Sequence, residues 1–299
     1  MYVVTGATGN TGRVIVNGLL ARGEKVRAVA RNADHLKEEA AKGAEAFVGQ
    51  LTDSDTLARA LEGAKAAYLM IPPDIRSQDY RAYQDQLVES IGRAAEKAGL
   101  SHAVVLSSVG ADKNDRTGPV VGLHNLEQRL NSITGLNVLA LRPAYFMENT
   151  LPQAALIRMF GMTAGPLRGD LLLPMIATRD IGEYATNVLL RLDFNGKQTR
   201  ELLGQRDMTM SEVASIIGKG IGKPDLKYGQ LPDDQTRGGM ISMGMSPSIA
   251  SLILEMAAAL NSGHMCALET RSAENTTPTS YEKFVTEEFV PNYQKAVAA

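Results

Sequence analysis

The sequence predicts an α/β fold built on a doubly wound parallel sheet, and three observations predict it. Short β-branched runs alternate with segments of helical periodicity through the first half of the chain. The runs are apolar on both faces, as strands covered by helices on both sides must be. Between the first strand and the first helix, TGATGNTG places glycines at 6, 9 and 12. Strands separated by helices, repeated about six times, need right-handed crossovers, and the doubly wound arrangement is the simplest topology that provides them.

Taken in order, YVV (2–4) reads as the first strand. TGRVIVNGLLARG (11–23) reads as a helix with Val14, Ile15, Leu19 and Leu20 on one stripe, ending at Gly23. KVRAVAR (25–31) is the second strand, followed by a polar helix over about 33–42 and the short strand AEAFVG. TDSDTLARALEG reads as a helix capped by Thr52 with Asp55 three residues on, closing at Gly63. AAYLMI (66–71) is a buried strand stopped by Pro72-Pro73. A helix over about 77–98 leads to the strand HAVVLSS (102–108), and another over about 119–133 leads to NVLALRP (137–143).

After about residue 150 the rhythm breaks. DLLLPMIATRDIGEYATNVLLRL offers a short strand and a helix, and MTMSEVASIIGKGIGK a helix with a Gly-rich stop. MISMGMSPSIASLILEMAAALNSG is one apolar, Met-rich stretch ending at Asn261-Ser262-Gly263; such methionines fill irregular core or line an adaptable pocket. The division is a Rossmann-like domain over 1–150 and a smaller C-terminal α+β substrate lobe over 151–299, some of whose elements return to the first domain. The stretch 249–260 is read as core or interface.

The composition, 44% hydrophobic and 21% charged, supports a sizeable core, and a net charge of -2 gives no global attraction to nucleic acid or an anionic membrane. The single cysteine, Cys266, forms no internal disulfide, fits a reducing compartment and reads as a small packing residue. No secretory leader or membrane-spanning run is recognised, and the expected setting is cytoplasmic. The four histidines stand apart, so no metal site is expected.

The glycine loop is where chemistry enters. Glycines allow a tight turn and a close approach of backbone to pyrophosphate, and the helix start adds unpaired N–H groups and partial positive charge. Thr8, Asn10 and Thr11 are short side chains suited to donate to phosphate or to cap the helix. The spacing is G-x-x-G-x-x-G rather than G-x-G-x-x-G, and no Walker A lysine follows. The second strand ends in Arg31-Asn32, where an NAD-binding fold usually carries an acid for the ribose. A guanidinium suits a 2′-phosphate, with Arg13 and Lys37 assisting, so NADP(H) is the expected cofactor; a solvated surface arginine is the alternative.

The motifs TGATGNTG, VRAVARN, VVLSSVGAD and LALRPAYFMEN, extended by TRDIGEYA, resemble the NmrA-like group of atypical short-chain dehydrogenases/reductases. Within it the likeness is to the NAD(P)H:quinone and triphenylmethane reductases. The resemblance implies pyrophosphate on Gly6 through Gly12, the 2′-phosphate on Arg31, and adenine beside Gln50 and Leu51, where the family often has Asp-Leu. It places Met70, Ile71 and Pro72 beside the ribose, Ser107 and Ser108 near the nicotinamide ribose, and Pro143 through Phe146, with Tyr145, under the nicotinamide.

Classical members of the superfamily use Tyr-x-x-x-Lys, residues four apart on one helix face. None of the nine tyrosines here has lysine four residues on. The corresponding helix carries GLHNLEQRL, with His124 roughly where relatives put a lysine or histidine. Its chemistry suits a proton donor, a cofactor contact or plain packing, and Glu127 at i+3 is expected either to orient it or to cap charges along that face. Two functions follow as expectations. The first is NADPH-dependent reduction of a small quinone-like or aromatic electrophile; the second is a non-catalytic NADP(H)-sensing regulator binding a protein partner. A homodimer is open as well.

Overall fold

The structure is a computed structural model and describes residues 1–298. Strands β1 (Tyr2–Thr5), β2 (Val26–Ala30), β3 (Glu45–Val48), β4 (Ala66–Leu69), β5 (His102–Leu106) and β6 (Asn137–Pro143) follow the predicted runs, trimmed at their ends. After them come β7 (Tyr145–Phe146), β8 (Thr163–Gly165) and β9 (Leu173–Ile176), and then β10 (Lys197–Leu202) returns to the main sheet beside β6. The seven-stranded order is β10-β6-β5-β4-β1-β2-β3, parallel throughout. β1 pairs with both β2 and β4, which marks the switch point where open α/β sheets bind ligands.

Alternation along the strands builds two cores. Tyr2, Val4 and Tyr68 face one side, against α1 (Asn10–Leu20), and Val3, Ala67 and Leu69 face the other. That second face is covered in turn by helices that follow α2 (Lys37–Ala41): α3 (Ser54–Leu61), α4 (Tyr80–Lys97) and α5 (Val120–Asn131). The first face is completed from the second half of the chain. After α6 (Gln153–Phe160), α7 (Thr178–Arg191) packs along α1. A Cβ on Gly182 would lie 2.6 Å from Val14 Cβ and 2.9 Å from Thr11 O, so the absent side chain is what lets the two helices touch.

Three local readings are corrected. α3 is capped by Asp53, which accepts from the N–H groups of Asp55 and Thr56, and not by Thr52; a carboxylate two and three residues away reaches the donors directly. On α1 the buried stripe is Ile15, Val16 and Leu19, with Val14 and Leu20 at its edges. The predicted helix over 33–42 is a 3-10 turn, Ala33–Leu36, running into the five-residue α2; Asn32 caps it by accepting from Asp34 N–H.

The remaining elements form the smaller lobe. β11 (Arg206–Met208) joins β9 and β7 in a three-stranded sheet, and β12 (Tyr228–Gln230) pairs with β8. Around them lie α8 (Met210–Gly220), α9 (Asp233–Ser242), α10 (Pro247–Ser262), α11 (Tyr281–Phe284) and, after a π turn at Val285–Phe289, α12 (Val290–Ala298). The Met-rich stretch is therefore two helices. The chain breaks at Gly244, and Ser246 caps α10 ahead of Pro247 at its first position. Of the methionines in that stretch Met240 is buried, Met243 is exposed and Met256 lines a cleft beside α10, so the stretch supplies both core and pocket lining, while Met147, Met175, Met208 and Met210 elsewhere in the lobe are core.

Glu148, just after β7, joins the lobes. Its carboxylate accepts from Thr178 N–H at 2.9 Å and from Thr178 Oγ1 at 2.5 Å, capping α7 from outside. Burial outweighs those bonds and raises its pKa above the ordinary 4.5, and Oε2 has no partner. The folded state thus holds a proton to higher pH than the unfolded chain, and stability falls as pH rises through that interval. Glu148→Gln keeps an acceptor for Thr178 and removes the charge. It is expected to melt higher than wild type near neutral pH, by about 2–4 °C for each kcal/mol. The advantage closes as pH falls toward 4.5, read by thermal melts across pH.

Candidate cofactor and substrate site

The glycine loop turns sharply between β1 and α1. Gly6 takes a left-handed φ of +62°, and its carbonyl accepts from Gly9 N–H at 2.9 Å. A Cβ on Gly12 would sit 2.7 Å from the Gly6 carbonyl carbon, 2.9 Å from Ala7 Cα and closer still to the Gly6 oxygen. One on Gly9 would clear everything but that oxygen, at 3.3 Å. Gly12 is thus demanded by the loop's own packing, whereas Gly9 leaves its outer surface bare. Gly9 caps α1 without a side-chain bond, so the first-turn N–H groups at Asn10, Thr11 and Gly12 keep no intrahelical partner. Capping by Asn10 or Thr11 does not occur. Asn10 is exposed and Thr8 partly exposed, but the buried Thr11 hydroxyl accepts from Tyr68 at 3.0 Å. A bare backbone cradle at a helix start fits a pyrophosphate.

Of the three basic candidates, Arg31 just after β2, Arg13 on α1 and Lys37 at the start of α2, only Arg31 is uncommitted. Arg13 lies 3.5 Å from the buried Glu39, and Lys37 lies 2.7 Å from Asp34. Arg31 is exposed and has no carboxylate within ion-pair distance among the described residues. Gln50 is exposed beyond β3, while Leu51, 7% exposed, packs into the core with residues of α3.

A cleft of about 800 Å³ opens beside the loop, within the range of small-molecule sites. One wall is made by the carboxyl ends of the strands: Met70 and Ile71 after β4, Ser107 and Ser108 after β5, and Pro143 through Phe146 after β6. Met70 Sδ would lie 2.8 Å from a Cβ on Gly6, so the cleft and the cradle are contiguous. Pro72 is not on the wall; its carbonyl accepts from Tyr83 OH at 2.8 Å, and Pro73 lines the cleft instead. The facing wall is Leu171 through Pro174 and the inner face of α10, with Ile253 and Met256. Cys266 is exposed in this cleft and is not a packing residue, because the chain after α10 runs along its rim.

Beneath the β5 end lies a buried polar chain. Ser107 Oγ donates to Glu127 Oε1, and Arg142 holds the same carboxylate with Nε at 3.0 Å and a second nitrogen at 2.6 Å. Glu127 therefore orients Ser107 and neutralises Arg142; it does not orient His124. The His124 ring is bound through Nδ1 to the Ala111 carbonyl at 2.8 Å and is not on the cleft wall. Tyr145 is half-buried on that wall, and burial pushes its phenol up to about 12. Among the described residues, no three of His, Cys, Asp and Glu are grouped to hold a metal ion, and no helix is long and apolar enough to cross a membrane.

Residues 2–289, nearly the whole described chain, match the model of the NmrA-like family. The chain belongs to that family. Among curated relatives, an NAD(P)H azoreductase of Xenophilus azovorans is 29% identical over 260 residues, covering 86% of each chain. The structure of an NADPH-dependent quinone oxidoreductase from Escherichia coli, solved with NADPH, superposes with a TM-score of 0.80 at 22% identity, covering 97% of this chain and 100% of that one. NmrA itself, a negative transcriptional regulator solved with NAD, superposes at 0.67 and 18% identity over 100% of this chain and 98% of that one. At these identities the structural likeness is one of fold.

For this NmrA-like chain sequence reasoning missed Pro73 and Arg142 in the first half, and in the second half the residues that dock α10. Ser246 N–H donates to Ile75 O at 2.8 Å, Ser246 Oγ donates to Ser77 O at 2.5 Å, and Ser248 Oγ accepts from Tyr80 N–H at 3.0 Å. These bonds staple the start of α10 to the β4–α4 loop that continues the strand-end wall. The Ser246-Pro247 pair is a helix-start signal and locates α10, but nothing local says where the helix docks.

Proposed function

We propose that this protein is an NADPH-dependent oxidoreductase that reduces a small quinone-like or aromatic electrophile by hydride transfer. The observation that carries the reading is an apolar cleft contiguous with a bare pyrophosphate cradle at the switch point of the sheet. The names of the azoreductase and quinone oxidoreductase relatives support it. The residues fit the dinucleotide: Gly6, Gly9 and Gly12 with the first turn of α1 would hold the pyrophosphate, and Arg31 the 2′-phosphate. Met70 and Ile71 would flank the ribose, and Ser107 and Pro143 through Phe146 would sit by the nicotinamide. When bound, the nicotinamide supplies the hydride; the protein supplies position and a dry pocket.

The reading is tested by following NADPH absorbance with a panel of quinones, azo and triphenylmethane dyes. Turnover of at least one acceptor is expected, and tight NADPH binding without any turnover overturns it. Arg31→Ala is expected to weaken NADPH about tenfold or more while leaving NADH unchanged, because only the 2′-phosphate contact is lost. Equal losses for both nucleotides would remove Arg31 from this role.

A second reading, an NADP(H)-sensing regulator with a protein partner, is favoured by the missing Tyr-x-x-x-Lys pair and by a His124 ring committed to Ala111. Pull-downs in which a partner is retained with NADP+ and released with NADPH, or the reverse, would support it.

A further inference from the structure

We propose that the Tyr145 hydroxyl is the hydrogen-bond donor to the acceptor's oxygen as that oxygen gains negative charge on reduction. The inference rests on the reductase reading above. It follows from the side-chain donors around the strand-end wall formed by residues 70–71, 107–108 and 143–146; Tyr80, Asn149 and Cys266 are further donors of the cleft outside those wall residues. Ser107 spends its hydroxyl proton on Glu127, and Ser108 spends its own on the Val109 carbonyl at 2.8 Å. Arg271 is tied to the carbonyls of Gly204 and Leu203 and to Asp207. The two tyrosines that feel the charge of Tyr145 are committed as well. Tyr228 OH donates to Leu167 O at 2.8 Å, and Tyr281 OH donates to Thr150 Oγ1 at 2.8 Å.

Tyr145 differs from these in one respect: among the described residues nothing accepts its proton, and desolvation alone acts on its phenol. It stands two residues after Pro143, the last residue of β6, in the short strand β7 that pairs with β9, on the wall contiguous with the cradle. An O–H held by a β-strand in apolar surroundings needs no reorganisation to meet an oxyanion there, and low polarity strengthens the bond. Burial also keeps the proton on the phenol, so Tyr145 donates a hydrogen bond without being consumed as an acid.

The balance is simple. Reduction of a quinone to the hydroquinone adds one hydride and one proton. The hydride comes from NADPH, which is oxidised to NADP+, and the proton comes from water. Tyr145 keeps its own proton and stabilises the monoanion between the two additions.

The test is Tyr145→Phe, which removes one oxygen and retains the ring that packs in the wall. With an acceptor that wild type reduces, kcat is expected to fall about tenfold to a hundredfold, the range for losing one hydrogen bond to a charged group. NADPH affinity and Tm are expected to stay unchanged. A readout independent of turnover uses para-nitrophenolate as an oxyanion probe and nitrobenzene as its neutral control. The variant is expected to lose affinity for nitrophenolate by the same factor and none for nitrobenzene. A wild type that oxidises no NADPH with any acceptor overturns the reductase reading. A variant matching an active wild type in both kcat and nitrophenolate affinity overturns the Tyr145 assignment alone.

Discussion

Gly12→Ala is expected to abolish useful NADPH binding and to destabilise the fold at once. The new methyl would press on the Gly6 carbonyl carbon at 2.7 Å and on Ala7 Cα at 2.9 Å, both backbone atoms that no rotamer change can move. The loop must open, and the N–H groups of the first turn of α1 swing off their common focus. Losing even two charge-assisted bonds to pyrophosphate costs about 3 kcal/mol, or about a hundredfold in Kd. Gly9→Ala is the informative contrast. Its methyl meets only the Gly6 oxygen, at 3.3 Å, so the fold should melt near wild type while NADPH, which must approach that surface, still binds poorly. Nucleotide fluorescence titration and a thermal melt on both variants separate the two effects. Gly9→Ala binding NADPH like wild type would mean that the loop is a structural turn and no cradle.

Glu127→Ala is expected to have the largest effect on stability outside the glycine loop. Glu127 is 1% exposed, and its carboxylate neutralises Arg142 through two bonds while taking the Ser107 proton. Removing it leaves a partly buried guanidinium without its paired carboxylate, a loss of about 3 kcal/mol. In a chain of this size that corresponds to a fall in Tm of roughly 10 °C, measured by calorimetry. The double variant Glu127→Ala, Arg142→Met should recover much of the loss, since the penalty comes from the stranded charge and not from the lost pair itself. A double variant no more stable than the single one would show that the carboxylate matters for Ser107 alone.

Gly6, Gly9 and Gly12 were legible because they sit between a β-branched run and a helical one, a context confined to a few residues. Arg31 was legible because a strand end can be read from the apolar run before it. Met70, Ser107 and Pro143 are far apart in the chain, and parallel pairing of β4, β5 and β6 brings them onto one wall. The partner of Glu127 was not legible. Spacing on α5 suggested His124, yet the carboxylate reaches across to β6 and Arg142, because helix α5 turns that face onto the sheet. Nor was the fate of each hydroxyl: Thr11 with Tyr68, Ser107 with Glu127, and Tyr145 with nothing depend on neighbours distant in sequence.

The sequence by itself determined the alternation of strands and helices, the glycine turn and the cation at the end of β2, since all three follow from local periodicity and backbone sterics. It also determined that the Tyr-x-x-x-Lys pair is missing. Only the tertiary structure decided that β10 and α7 complete the first layer, that the Met-rich stretch splits at Gly244, and that α10 roofs an apolar cleft stapled to the β4–α4 loop. The physical reason is common to all of these. Local patterns say which face of an element is apolar, whereas the surface that face covers is chosen by close packing among elements far apart in the chain.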